Sequence, residues 1–475
     1  MTVIRSFFRN TLCLVSDTRG VTAVVMAVSM ATLVGFAGLG VETGLWFSQK
    51  REYQTAADAA AISGAFQLAN GNSLGANCSS ATTTIWGAGC AMALNNGYSS
   101  GTNNSITINE GNWNGTTFTA NGAPLNAVQA VISERKNSLL SVAYISNVTI
   151  RSSAVALVQS GAGHGCVFQL GNFNANSSNN AGISVSGSSG LNLGTNCSVV
   201  ANATGPDSIN VNGGNNNQIT AYNLFAAGDV NFTGTPNYTL AAGQIPVSQE
   251  QQQQDPYSSS CTGGAAAGCD PLPAPPVPTG SNQNGSLPSK SMNCPASPAP
   301  VSLQPGQYTN GMDMSVCTSY TMAAGTYYVS GGDVVIKGSN VTGSNVTVVL
   351  TSTNSKSASV QISSNATGSL TEPTSSGTYS GVLFYQYDTS NKVGSINSCS
   401  SPANSINANG GISLEGLIYM PSQPLCFQGT PTTIAGHCLQ LYSYQISIGG
   451  NPTIDDTGCP ASTTGSSIKQ IVLAQ

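Results

Sequence analysis

The chain has 475 residues, only 7% of them charged, and a formal net charge of −5. Lys and Arg are scattered rather than clustered, which argues against a nucleic-acid partner, because phosphate binding needs concentrated positive charge. The length allows two or three domains with cores of their own, and 54 glycines among abundant Asn, Ser and Thr point to a turn-rich, nearly ion-free surface.

The first predicted element is an uncharged apolar run, residues 21–41 (VTAVVMAVSMATLVGFAGLGV). A helix that crosses a bilayer needs about 20 such residues. The anchor is expected to span 21–47, leaving the hydrocarbon through Gly44-Leu45-Trp46-Phe47, with Trp46 at the interface. Arg5, Arg9 and Arg19 against the single Asp17 place residues 1–20 in the cytoplasm. The 428 residues after Phe47 then lie beyond the inner membrane, periplasmic or extracellular. A cleaved signal peptide is the rival reading, but its apolar core runs to only about 7–15 residues before a small-residue cleavage site. Glu42, at the outer end of the span, is expected to be solvated at the interface.

Residues 48–71 read as a helix continuing out of the membrane, rich in alanine and stopped by Asn70-Gly71. Ala57, Ala60, Ala61, Gly64 and Ala65 form a smooth stripe. Two readings of it stay open: a helix covering its own domain, or an oligomerising face.

Arg19-Gly20 before the apolar run, Gly44-x-Trp46, and Gln54-x-Ala56-Ala57-Asp58-Ala59-Ala60-Ala61 together resemble the N-terminal region of TadE/TadG-like proteins. These belong to the Tad (Flp) pilus-assembly system of bacteria, and the resemblance covers about residues 15–70. It implies a bacterial structural protein without enzymatic activity, whose partners are other pilus-assembly or envelope proteins. Val25 stands where prepilin-like members carry Glu, so processing after Gly20 is not implied. No D-x-S-x-S sequence occurs; Asp313-Met314-Ser315-Val316-Cys317 ends in cysteine, so the von Willebrand A domain of longer members is not expected.

Residues 72–160 suggest a small α+β module: strands at 106–108, 126–133 and 148–158, and a short helix at 136–144. From 161 to 475 the texture changes to short strands ending in Gly, among them INVNG (209–213), VVIKG (334–338), CFQG (426–429) and ISIGG (446–450). LQPGQY (303–308) and MAAGTYY (322–328) repeat a second pattern at an interval near 20 residues. Such recurrence predicts a parallel β-helix or β-solenoid, with a β-sandwich as the alternative. The expected fold class is therefore mainly β, behind a transmembrane helix. A Gln- and Pro-rich insertion, about 245–300, reads as extended, mobile chain. A looser likeness to ectodomains joined to TadE/TadG-like anchors rests on Cys166-Val-Phe-Gln-Leu, Cys197, Asp255-Pro256 and the turn at Pro305.

Thirteen cysteines divide across the membrane, with Cys13 alone on the cytoplasmic side. Cys78, Cys90, Cys166, Cys197, Cys261, Cys269, Cys294, Cys317, Cys399, Cys426, Cys438 and Cys459 lie on the exported side, where an even number reads as disulfides. None is spaced for a metal site. Connectivity stays open; Cys78–Cys90, Cys261–Cys269 and Cys426–Cys438 are the local pairs expected, each contributing about 3 kcal/mol for a short loop.

No catalytic set, cofactor or metal is expected. After residue 160 there are twelve acids and no arginine, and Asp455-Asp456 is the single adjacent pair, whose side chains would face opposite ways on a strand. GNSLG (71–75) and GYSSG (97–101) lack the strand and helix that a nucleophile elbow requires, and His164 and His437 read as structural. The expected function is a membrane-anchored assembly protein of a Tad-type pilus or surface-attachment system. The alternative is a protein that binds or processes polysaccharide, with glycan or peptidoglycan as a possible partner.

Overall fold

The computed structural model describes residues 18–139, 145–177, 180–186, 190–194, 196–212, 218–233, 237–259, 261, 270–276, 294–295, 299–353, 356–375, 377–387, 404–409, 411–429, 438–455, 457–459 and 467–474. The chain is mostly β, with one long N-terminal apolar helix, and divides into two units: residues 1–159 with 471–475, and residues 160–470.

In the first unit, helix α1 (Thr18–Ala69) runs for 52 residues. It contains no proline, and Gly71 ends it at φ 72°, its N–H donating to Leu68 O at 2.9 Å. The two halves of α1 differ in what surrounds them. Residues 21–41 are exposed almost throughout, and the apolar window is 0% buried. From Glu42 onward one face is covered: Tyr53, Ala56, Ala57, Ala60, Ala61, Ala65 and Ala69 are buried. That face packs on an antiparallel sheet of β1 (Asn104–Trp113), β2 (Phe118–Ala120), β3 (Ala127–Asn137) and β4 (Asn147–Gln169), in the order β2–β1–β3–β4. Ile106, Ile108, Val128, Ala130, Ile132, Ile150 and Ala154 meet it.

The small-residue stripe is therefore the helix's own packing face, which settles the two readings in favour of self-coverage. At Gly64 an added Cβ would lie 2.9 Å from Val128 Cγ1 and 3.3 Å from Ile85 Cγ2. Gly64→Leu should destabilise this unit by about 2 kcal/mol, because overpacking outweighs the gain in helix propensity. Thermal unfolding followed by circular dichroism reads the loss; an unchanged midpoint would contradict the packing.

Two local expectations need correction. Helix α2 (Ile85–Asn95) was not anticipated; Thr84 caps it, its Oγ1 accepting from Gly87 N at 3.1 Å. The short helix at 136–144 is absent where described: β3 runs to Asn137, and 140–144 lie outside the described residues.

The second unit is built from short strands in parallel ladders. One ladder joins Val301–Leu303, Ser319–Met322, Asn340–Gly343 and Thr367–Thr371 to the start of Ile412–Gly429. A second runs from Gly306–Tyr308 through Gly325–Val329, Val346–Thr353 and Val382–Tyr387 into Ile412–Gly429 and Leu439–Gly450. It then passes to the end of β4, and on to Cys197–Ala201 and Leu224–Ala226. A third follows the same route from Met312–Asp313 to Val230–Thr233. Chain order and stacking order thus differ, since Tyr442 stands beside Phe168.

Each strand sends alternate residues inward. In register along the second ladder, Tyr327, Val348, Phe384, Ile418, Leu441, Val167, Val199 and Leu224 form the inner column. All are 0% exposed except Val348 at 1%, and all eight belong to one core cluster. Parallel pairing of this kind is not that of an antiparallel β-sandwich. The predicted repeat recurs as register: Tyr308 stands beside Val329, and Val329 beside Leu350. Gly306 and Gly325 turn at φ 142° and 140°, a region open to glycine. Gly429 pairs with Gly450 rather than with Gly449.

Candidate functional site

Glu42 is the first surprise of the anchor region. It is 2% exposed, and its carboxylate accepts the Leu139 N–H at 2.5 Å, so it is enclosed by its own unit and not solvated at an interface. Trp46 is half-buried against the same core. Further along, Tyr53 donates to Glu134, whose other oxygen holds Lys136 at 2.7 Å, and packs edge-on against Tyr98. An apolar half-helix long enough to cross a membrane is thus continuous with a half-helix fixed to a folded body.

The cysteines are structural. Cys78–Cys90, Cys166–Cys197, Cys294–Cys317 and Cys438–Cys459 are bonded, and Cys261 and Cys426 are disulfide-bonded as well. The expected Cys426–Cys438 bond is overturned: Cys426 sits 0% exposed in a ladder between Ser405 and Ser447, whereas Cys438 precedes a strand and meets Cys459. Cys269 and Cys399 lie outside the described residues, as do His437 and Asp456.

The acids are held singly. Asp333 accepts from Ser359 N and Oγ, Asp313 from Ser315, Asp455 from Thr457, and Asp207 from Asn210 and Asn231. Among the described residues no three His, Cys, Asp or Glu side chains converge as metal ligands would.

The most developed site lies in the second unit, under residues 249–272. Composition suggested mobile chain there, but the described part is tied down as a strap. Gln253 N donates to Asn202 Oδ1 at 2.8 Å, and Asn202 Nδ2 returns to Gln253 O. Tyr257 is 3% exposed, edge-on to both Tyr419 (5.5 Å) and Tyr442 (5.2 Å). The strap covers the outer column of the second ladder, where Tyr385, Tyr419, Tyr442, Phe168, Val200 and Phe225 follow one another in register. No sequence interval links these six, because the column crosses from late to early chain.

Asp255 anchors the strap. One carboxylate oxygen accepts the Tyr419 hydroxyl at 2.7 Å and the other the Tyr257 N–H at 3.0 Å. Beside it is a cavity of about 270 Å³, lined by strap residues such as Ser258 and Leu272 and by Tyr385, Tyr387 and Tyr419. Burial pushes the Asp255 carboxyl up to about 6 from 3.8, against the opposing hydrogen bonds from Tyr419 and from the Tyr257 and Ser258 backbone. The phenols of Tyr257, Tyr385 and Tyr419 each feel the Asp255 charge, and burial holds all three above their usual range.

The folded carboxyl holds its proton more tightly than the unfolded one does. Its contribution to stability is therefore full below about pH 4 and is lost as pH rises to about 6, a change on the order of 3 kcal/mol. Urea unfolding between pH 4 and 7 should show this decline in the wild type and not in Asp255→Asn. Equal pH dependence in the two proteins would contradict it.

The structure comprises a half-exposed apolar helix that fits membrane anchoring, a small α+β unit and a disulfide-tied parallel-β unit. Residues 20–67, the stretch where α1 leaves its apolar half and docks, match the family described as putative Flp pilus-assembly TadE/G-like. No curated protein and no solved structure matches the chain.

Proposed function

We propose that the chain is a structural component of a Tad (Flp)-type pilus or surface-attachment system. It sits in the bacterial inner membrane as a single-pass protein with a cytoplasmic N-terminus, and presents its second unit in the periplasm or beyond as a β-solenoid. One observation carries the reading: the family match covers nearly all of α1, from its exposed apolar half through its docked half. The solenoid reading is supported by three ladders that keep register from strand to strand through a common core. Its role is non-enzymatic scaffolding, with other pilus-assembly or envelope proteins as partners.

A second reading, binding of surface polysaccharide, is favoured by one surface. Ser302, Thr321, Thr342, Ser369 and Ser413 stand in register on the first ladder, about 4.8 Å apart. None of the five is buried, so they present a straight row of hydroxyls. Co-purification from detergent-solubilised membranes tests the choice. Recovery of pilus-assembly proteins, with piliation lost on deletion, is the expected result. Retention on polysaccharide with piliation unchanged on deletion would overturn the first reading.

A further inference from the structure

The cavity beneath the strap holds one carboxylate, several aromatic rings and, among the residues lining it, neither Lys nor Arg. The pocket, about 270 Å³, is partly open to solvent, so a small ligand can enter it. The rings are set at steep angles: Tyr385 and Tyr387 at 75°, Tyr257 and Tyr419 at 68°. Tyr385 and Tyr419 are buried by these contacts, whereas Tyr387 is partly exposed at the mouth of the pocket, and an accessible aromatic ring attracts cations. Asp255 supplies the opposite charge at the same wall, held in place by Tyr419 and by the backbone of Tyr257. Together with the bond from the Ser258 backbone these occupy three of the four acceptor positions of the carboxylate, which leaves one for another donor.

We propose that this cavity is an alkylammonium-binding site: Asp255 takes the charged nitrogen, while Tyr385, Tyr387 and Tyr419 surround it and its carbon chain. An anion is excluded by the carboxylate, and a neutral ligand leaves that charge without a counter-ion in a poorly hydrated wall. The chemistry is that of a lysine side chain or of a free primary amine. The proposal stands apart from the pilus reading and uses only residues of the second unit.

The test uses the full chain in detergent micelles at pH 7.5, with n-butylammonium as the probe and 1-pentanol as its uncharged counterpart, followed by isothermal titration calorimetry. Saturable one-to-one uptake of the amine, at least tenfold tighter than that of the alcohol, is expected. Asp255→Asn should weaken it at least tenfold while keeping an acceptor for Tyr419. Tyr387→Ala, at a partly exposed ring, should weaken it severalfold with the circular dichroism spectrum unchanged. Below pH 6 affinity should fall by up to about tenfold per pH unit in the wild type alone, as protons compete for the carboxylate. A blocked tripeptide Gly-Lys-Gly that binds as well as the free amine makes the source a protein side chain; tenfold weaker binding makes it a small amine. Equal binding of 1-pentanol, indifference to Asp255→Asn, or no uptake of the amine would overturn the site.

Discussion

Tyr257→Ala should cost the second unit about 3–5 kcal/mol, the range for deleting a large buried aromatic side chain. It should also open the strap to protease near residue 257. The ring packs edge-on to Tyr419 and Tyr442, and Leu272 of the strap packs against the same cluster. Its loss leaves a void over the outer column and removes two edge-to-face contacts, each worth about 0.5–1.5 kcal/mol beyond area. Gln253→Ala removes two long hydrogen bonds from Gln253 Nε2, to Gln251 O and Lys469 O, keeps the backbone bonds to Asn202, and should cost only about 1 kcal/mol. Limited proteolysis and urea unfolding of both variants would separate the two effects. If Tyr257→Ala resists protease as the wild type does, the strap is not held by that ring.

The second large effect concerns the anchor. Val28→Arg with Leu33→Arg places two charges in the apolar half of α1, each opposing insertion by about 2.5–3.5 kcal/mol at mid-membrane. Both positions are exposed, 62% and 68%, and touch no core, so the folded body should not feel the change directly. The wild type should stay in the membrane pellet after alkaline carbonate extraction, and the double variant should leave it. A wild type already released by carbonate would instead fit the cleaved-signal reading.

What the sequence revealed and what it hid divide along the range of the interactions. The apolar run and its alanine-rich continuation are local in composition, and both appear as one helix. The stripe at Ala57–Ala60–Ala61–Gly64 was legible as a contact face, but its partner, Val128 and Ile132 on β3, was not. Helix α2 escaped notice because IWGAGCAMALN has two glycines and little polar periodicity. Glu42 was misplaced because distance along the chain says nothing of Leu139 folding back onto it. The Gln- and Pro-rich strap looked unstructured because its stability comes from Asn202, Tyr419 and Tyr442, which lie far from it in sequence. Cys438 bypassed Cys426, its nearer neighbour in sequence, because the fold brings Cys459 to 4.4 Å from it, Cα to Cα, and Cys426 is bonded elsewhere.

The passage of the second ladder from Tyr442 to Phe168 bears on how the molecule is made. Within the second unit the strands between 166 and 233 are synthesised first, yet the strand they lie against, Leu439–Gly450, comes among the last. Closing so long a loop is entropically slow. The strands of each stack can pair with one another earlier, but the joining of the two stacks waits until residues 439–450 are made.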